Sequence, residues 1–277
     1  MASQAAIKSQ KENSPSRVVL NAFIGLIVGL AGGLVGLGGA ELRLPYLAGT
    51  LSLPLKKAVP ANLSVSLLTL LAALPTRLLT LKAASLTPFL YETTALGLGG
   101  VLGAYAGVSR LRRLSAVALR RAVFALLLAL GLVMISEAVV SIAPLGIAPD
   151  ARLPRIVSGL ALGFLIGAVS GLLGVAGGEI IIPTLILGFG APIKAAGTLS
   201  QMVSIPAVLT GFIRHYRAGA LSDRNLAMRL ILPMGLGAIA GGIGGGLMAN
   251  LAPSSILKAV LGAILIASSI KVFARQA

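Results

Sequence analysis

Residues 29–47 read GLAGGLVGLGGAELRLPYL, and residues 167–185 read GAVSGLLGVAGGEIIIPTL. Laid over each other without a gap, Gly29 falls on Gly167, Gly33 on Gly171, Gly36 on Gly174, Gly39 on Gly177, Glu41 on Glu179 and Pro45 on Pro183. Both copies lie in apolar surroundings, yet each carries a run of helix-breaking glycines and one glutamate. Backbone freed by such a break cannot face lipid, so at membrane depth it must be buried in protein or line a wet cavity. Apolar segments broken at corresponding places in two halves point to the binding site of a membrane transporter.

The same 138-residue register runs on past the glycines. Pro54 meets Pro192, Lys56 meets Lys194, Ser66 meets Ser204, and later Gly99, Gly103 and Gly107 meet Gly237, Gly241 and Gly245. One register held across a half-chain implies duplication. The chain divides into a cytoplasmic N-terminal tail (1–17), repeat 1 (18–142), a linker (143–155), repeat 2 (156–272) and a C-terminal tail (273–277).

Composition sets the class. The chain is 57% hydrophobic and 11% charged, with a mean hydropathy of +0.99, 35 glycines and no tryptophan. So few charges cannot cover a soluble domain of this size. Windows such as Val18–Ala40, Ala122–Ser136 with its flanks, Ile156–Gly178 and Leu230–Lys258 offer enough apolar length to cross a hydrocarbon core as helix. The net charge of +16 is spread in short clusters between apolar runs, as the positive-inside bias produces, which argues against nucleic acid. The chain has no cysteine, which removes disulfides, thiolate metal sites and cysteine nucleophiles.

Two topologies compete. If residues 18–51 cross once and every later apolar run also crosses, the cluster Arg110, Arg112, Arg113, Arg120, Arg121 faces outward, against the positive-inside rule. If the glycine break turns residues 18–51 into a hairpin, Lys and Arg divide 16 inside to 6 outside, Arg43 aside. The second arrangement also makes the halves opposite in orientation. The expected fold is therefore an all-α polytopic membrane protein of two homologous halves, arranged as inverted repeats. Each half is a Gly-broken helical hairpin followed by about three transmembrane helices.

The residues able to carry chemistry cluster around the two breaks. Gly38, Gly39 and Ala40 in copy one, and Gly177 and Gly178 in copy two, precede short apolar half-helices whose free N–H groups suit an anion. Glycine also serves tight helix packing, which is the reading favoured for Gly29, Gly33, Gly99, Gly103, Gly107, Gly237, Gly241 and Gly245. Glu41 and Glu179 start the half-helices. An intramembrane carboxylate marks a functional site by default, and capping or pairing with Arg43 is the structural alternative. Arg43 is available to a substrate anion or to a carboxylate across the repeat interface. Asn62, Ser66 and Thr69 share one helical face, and Ser200 and Ser204 are repeat mates of the first two, with Thr198 and Gln201 nearby. These hydroxyls and amides suit an oxyanion that binds and leaves, or serve as interhelical glue. Glu92, Glu137 and His215 read as interfacial, and a transition-metal site is disfavoured by a single histidine without cysteine. No Ser-His-Asp, HExxH or Walker arrangement points to an enzyme.

At these residues the chain resembles the sulfite exporter TauE/SafE family of membrane permeases. The resemblance rests on GLGGAELRLPYL and GVAGGEIIIPTL, followed by PLKKAVPANLSVS and PIKAAGTLSQMVS, and covers roughly residues 20–272. It implies a cell-membrane, multi-pass secondary carrier for small sulfur-containing oxyanions such as sulfite, sulfoacetate or other organosulfonates, with proton or ion coupling left open and no cofactor. Ala40 departs from the more typical third glycine of the motif. The alternative is a carrier or channel for a cation, with Glu41 and Glu179 as ligands or proton relays. The implied partners are a small anionic substrate and the lipid bilayer, and the sequence sets no oligomeric state.

Overall fold

The computed structural model describes residues 15–111, 116–140, 151–173 and 177–274, and every regular element among them is helical. The tail 1–14, most of the linker, and the second copy's residues 174–176 lie outside these.

Helix α1 (Pro15–Val35) is apolar beyond Asn21 and stops where Gly36 takes a φ of +103°. After a four-residue turn, α2 (Ala40–Pro45) starts behind Gly39 at φ +70°, a left-handed conformation that only glycine adopts without strain. Gly39 lies beside Val28, and Tyr46 Oη donates to Asn21 Oδ1 at 2.9 Å, so α2 runs back along α1 toward its start. Pro45 supplies no N–H for the next turn, and the chain widens into a π-helical turn over Tyr46–Thr50, closed by Leu51 N–H on Tyr46 O. Helices α3 (Leu55–Thr80), α4 (Leu90–Leu111) and α5 (Ala116–Val139) follow.

The second half repeats this order. Helix α6 (Arg152–Leu173) precedes Gly177 at φ +76°, α7 (Gly178–Pro183) and a π-helical turn at Thr184–Gly188. Arg155 on α6 reaches Phe189 O beyond that turn, so α7 also doubles back. Helix α8 (Ile193–Arg217) comes next; a π-helical turn (Ala227–Ile231) then leads into α9 (Leu232–Leu251), and α10 (Ser254–Ala274) follows. The bounds of α2 and its π-turn match those of α7 and its π-turn at the 138-residue shift.

Three of the uncharged windows are not single helices. Val18–Ala40 is cut after Val35, Ile156–Gly178 at Gly177, and Leu230–Lys258 by Ala252–Pro253 between α9 and α10. Uncharged length shows where lipid is tolerated, but glycine and proline decide where the helix ends. Among the described residues, five stretches are long and apolar enough to cross a membrane: Ser16–Val35, Lys56–Thr80, Arg152–Ser170, Ile193–Arg217 and Arg224–Leu251.

The halves interlock. Helix α1 packs parallel to α9, with Gly25 against Met234, Gly29 against Ala238 and Gly33 against Gly242. The mate of this pair is α4 against α6, where Gly99 meets Leu160, Gly103 meets Phe164 and Gly163 meets Leu96. Helices α3 and α8, themselves mates, cross antiparallel: Arg77 lies by Lys194 while Leu63 lies by Gly211. Helices α5 and α10 do the same through Gly131, Gly262 and the Lys258–Glu137 pair at 3.5 Å. Lipid removes most hydrophobic drive between helices, so close backbone approach supplies the attraction. At one end of the bundle Lys57 Nζ donates to Asp223 Oδ2 at 2.7 Å, and this hydrogen bond holds that carboxyl below its ordinary range.

These contacts separate neighbouring glycines of α4. A methyl on Gly99 would strike the Leu160 carbonyl, whereas Gly97 has nothing within 4 Å. Gly99→Ala and its mate Gly237→Ala should each destabilise the protein by about 1–3 kcal/mol through overpacking. Gly97→Ala should be neutral or slightly stabilising because alanine favours helix. Thermal unfolding of the three variants in one detergent checks the contrast.

Candidate functional site

The residues around the first break form one connected cluster centred on Arg43. Its side chain is 0% exposed, and its guanidinium is held on several sides. Nη2 donates to Gly38 O and Ser66 Oγ, both at 2.6 Å, Nε to Asn62 Oδ1 at 3.3 Å, and Nη1 to Thr69 Oγ1 at 3.3 Å. The face Asn62/Ser66/Thr69 is thus brought together as its helical spacing requires, but its members engage the arginine. Asn62 Nδ2 also donates to Ala40 O at 2.9 Å, fastening the start of α2 to α3. Arg43 makes no ion pair among the described residues. Glu41, two positions away, is buried with no hydrogen-bond partner for either carboxylate oxygen.

A second arginine, absent from the sequence-derived candidates, holds the break from the other side. Arg77 is 1% exposed; Nη1 donates to Gly33 O at 2.8 Å and Leu34 O at 2.9 Å, Nη2 to Lys194 O at 2.9 Å, and Nε to Thr198 Oγ1 at 3.0 Å. It closes the C-terminal carbonyls of α1, which the glycine break leaves without helical partners, and ties them to the first turn of α8. Its signal was available: Arg77 continues the stripe of Asn62, Ser66 and Thr69 at helical spacing along α3. Thr198, counted among the binding candidates, is committed to this arginine.

Around the second break the same backbone carries different chemistry. The position of Arg43 is taken by Ile181 and that of Arg77 by His215. Glu179 is buried and accepts from Ser268 Oγ of α10 at 3.1 Å. Ser200 and Gln201 are each 0% exposed; the Ser200 hydroxyl and both amide atoms of Gln201 have no hydrogen-bond partner. Ser204 is buried one turn further along α8.

The two breaks meet. Leu37, in the first turn, comes so close to Gly178 that a methyl there would sit 3.1 Å from Leu37 Cδ2, 3.3 Å from Ser200 Oγ and 3.7 Å from Ser204 Oγ. Gly36 lies against Gly197 of α8. Of the sequence-derived candidates, Gly38, Ala40, Arg43, Asn62, Ser66 and Thr69 are joined directly by hydrogen bonds, and Gly178, Ser200 and Ser204 close up around Leu37. Gly39 and Gly177 serve the turns themselves.

Glu92 and Glu137, read as interfacial, lie near helix ends and are buried in the protein, each beside a base: Arg155 Nε lies 2.6 Å from Glu92 Oε1, and Lys258 Nζ lies 3.5 Å from Glu137 Oε2. Their places near helix ends explain the expectation; the neighbouring helix, invisible in sequence, covers them. A surface groove of about 590 Å³ opens beside the first of these pairs, lined by Tyr91, Glu92, Arg152, Arg155 and Phe189 among others. It lies at the N-terminal end of α6. No group of three metal-ligating side chains occurs among the described residues.

Comparison with known proteins agrees with this architecture. The family described as sulfite exporter TauE/SafE matches residues 1–134 and 159–277, and so both halves. The chain belongs to that family. It is also similar to the probable membrane transporter protein YunE of Bacillus subtilis (strain 168), at 29% identity over 220 residues, covering 73% of this chain and 79% of that protein. No solved structure matches it. The protein is a multi-pass membrane protein with a role in membrane transport.

The arginine that closes α1 carries a direct test. Arg77→Met removes a charge but also frees the Gly33, Leu34 and Lys194 carbonyls, each worth about 1–3 kcal/mol when buried without a donor. The variant should lose most of its folded yield in detergent, measured by size-exclusion profile and thermal unfolding. His215→Met, at the equivalent position of the second half, should stay close to wild type.

Proposed function

We propose that the protein is a secondary carrier of small sulfur-containing oxyanions (sulfite, sulfoacetate or another organosulfonate) that works by alternating access between two inverted halves of the cell membrane protein. The observation that carries this reading is the meeting of the two broken segments, Leu37 against Gly178. Around it lie a fixed guanidinium and buried hydroxyl and amide groups. A positive charge with hydrogen-bond donors in a low-dielectric centre favours a compact oxyanion over a neutral solute, which leaves those donors unmatched. The family match supports the substrate class.

Inversion is supported by the helix directions. Mates α3 and α8 run antiparallel, as do α5 and α10, which is what a two-fold axis in the membrane plane produces. With α2 and α7 doubling back, the ends of α1 and α10 that adjoin the chain termini fall on the same side as Arg17, Lys56, Lys57, Arg110, Arg120, Arg121, Arg214, Arg217, Arg224, Arg229 and Lys271, the larger share of the described basic residues. Arg77, Lys82, Arg152, Arg155, Lys194 and Lys258 lie at the opposite end. That division supports cytoplasmic termini. Residues 1–14, most of the linker, the last three residues and Arg112–Arg113 lie outside the described residues.

A second reading has its own observation. Glu41 keeps both carboxylate oxygens free of hydrogen bonds while buried, which suits a proton carrier or a cation ligand. Glu179, bonded to Ser268, is less free. The two readings combine if a proton accompanies the anion.

Reconstitution into liposomes with labelled sulfite, sulfoacetate and a monovalent cation separates them. The oxyanions should accumulate or leave with saturation kinetics; uptake of the cation alone would overturn the substrate assignment. Glu41→Gln should flatten the pH dependence of transport more than Glu179→Gln. Topology is tested in intact cells, since the chain has no cysteine of its own. An impermeant thiol reagent should label Ala84→Cys but not Ser222→Cys. The reverse pattern would place the termini outside, and labelling of both would remove the inverted arrangement.

A further inference from the structure

The two half-sites share a backbone but differ in what their polar groups do, and the difference assigns the ligand to one of them. We infer that the transported oxyanion takes its direct hydrogen bonds from the second half, from Ser200 and Gln201 of α8, while Arg43 remains locked on α3 as a fixed charge. This rests on the oxyanion reading above and goes beyond it by naming the binding half and a specificity-determining residue.

In the first half the polar stripe is already occupied. Asn62, Ser66 and Thr69 accept hydrogen bonds from Arg43, whose Nη2 also caps Gly38 O. A substrate binding there would have to displace an internal guanidinium from four partners. In the second half Ile181 stands where Arg43 stands in the first, and it offers nothing to the mates of Asn62 and Ser66. Ser200 Oγ consequently makes no hydrogen bond among the described residues, and neither do the two ends of the amide of Gln201, which stands where the first half has Leu63, although both residues are 0% exposed.

An amide without partners in an apolar span costs free energy, and nothing in the packing requires it. Residues 197, 200, 201 and 204 share one side of α8, where Gly197 meets Gly36, and Ser200 and Ser204 meet Gly178. Gln201 adjoins Ser200 on that side. Its NH₂ and the Ser200 hydroxyl can offer three N–H and O–H donors to sulfur-bound oxygens. The amide oxygen offers an acceptor to a protonated or hydroxylated ligand, and so gives a means of discriminating among sulfur oxyanions.

The test compares binding with stability in the full-length protein in detergent, using sulfite and sulfoacetate as probes. Gln201→Met keeps volume and removes only the amide, so the substrate-free melting temperature should stay equal or rise, while affinity for at least one probe falls about tenfold or more. Ser200→Ala should weaken binding severalfold without lowering the melting temperature. Asn62→Ala should do the opposite to the free protein, lowering its melting temperature because Arg43 and Ala40 O lose a partner. A Gln201→Met protein that is destabilised like Asn62→Ala would make the glutamine structural and overturn the inference. Unchanged affinity in both Gln201→Met and Ser200→Ala would overturn it while leaving the carrier reading intact. Failure of the wild-type protein to bind either probe would remove the substrate class and this inference together.

Discussion

Ending a helix inside a membrane leaves carbonyls that neither water nor lipid can satisfy, and this structure is organised around closing them. Helix α1 stops at Val35, and Arg77 from α3 takes the carbonyls of Gly33 and Leu34. The turn that follows presents Gly38 O to Arg43 and Ala40 O to Asn62. Two guanidinium groups with fixed, fork-like donors suit this task better than a single flexible ammonium. Their burial is costly in isolation, so the turn and the arginines are stable only together. The same bonds bring α3 against α1 and α2, and Arg77 extends the network to α8 through Lys194 and Thr198.

Once the first break is closed in this way, the second can remain chemically open. Helices α7 and α8 follow the path of α2 and α3, yet Ile181 and His215 replace the two arginines. Duplication supplied two equivalent scaffolds, and the side chains then diverged. One half holds the fold at the centre; the other keeps a serine and a glutamine whose polar atoms have no hydrogen-bond partner among the described residues. Glu41 and Glu179 show the same divergence in milder form, since only Glu179 has a hydrogen-bond partner, Ser268.

Around this centre, the glycine-lined pairs α1 with α9 and α4 with α6 pack backbone to backbone. Each pairs a helix of one half with a helix of the other, so neither half completes its packing alone. The pair α5 and α10 closes on itself through Gly131 and Gly262 and holds Glu179 through Ser268. Small residues at these seams allow backbone to meet backbone, which lipid-exposed leucines cannot do.

The sequence by itself determined the class, the 138-residue repeat, both breaks and the polar face of α3, because composition and periodicity record which surfaces meet lipid and which do not. It also marked the seam glycines as packing residues. It passed over Arg77 and the basic partners of Glu92 and Glu137, because a pattern along one helix reports a face and not the atoms opposite it. Only the tertiary structure decided that Asn62, Ser66 and Thr69 serve Arg43, that Thr198 serves Arg77, and that Ser200 and Gln201 have no partner. Hydrogen bonds between residues 19 to 121 positions apart are set by how helices cross, and that crossing is a property of the packed whole.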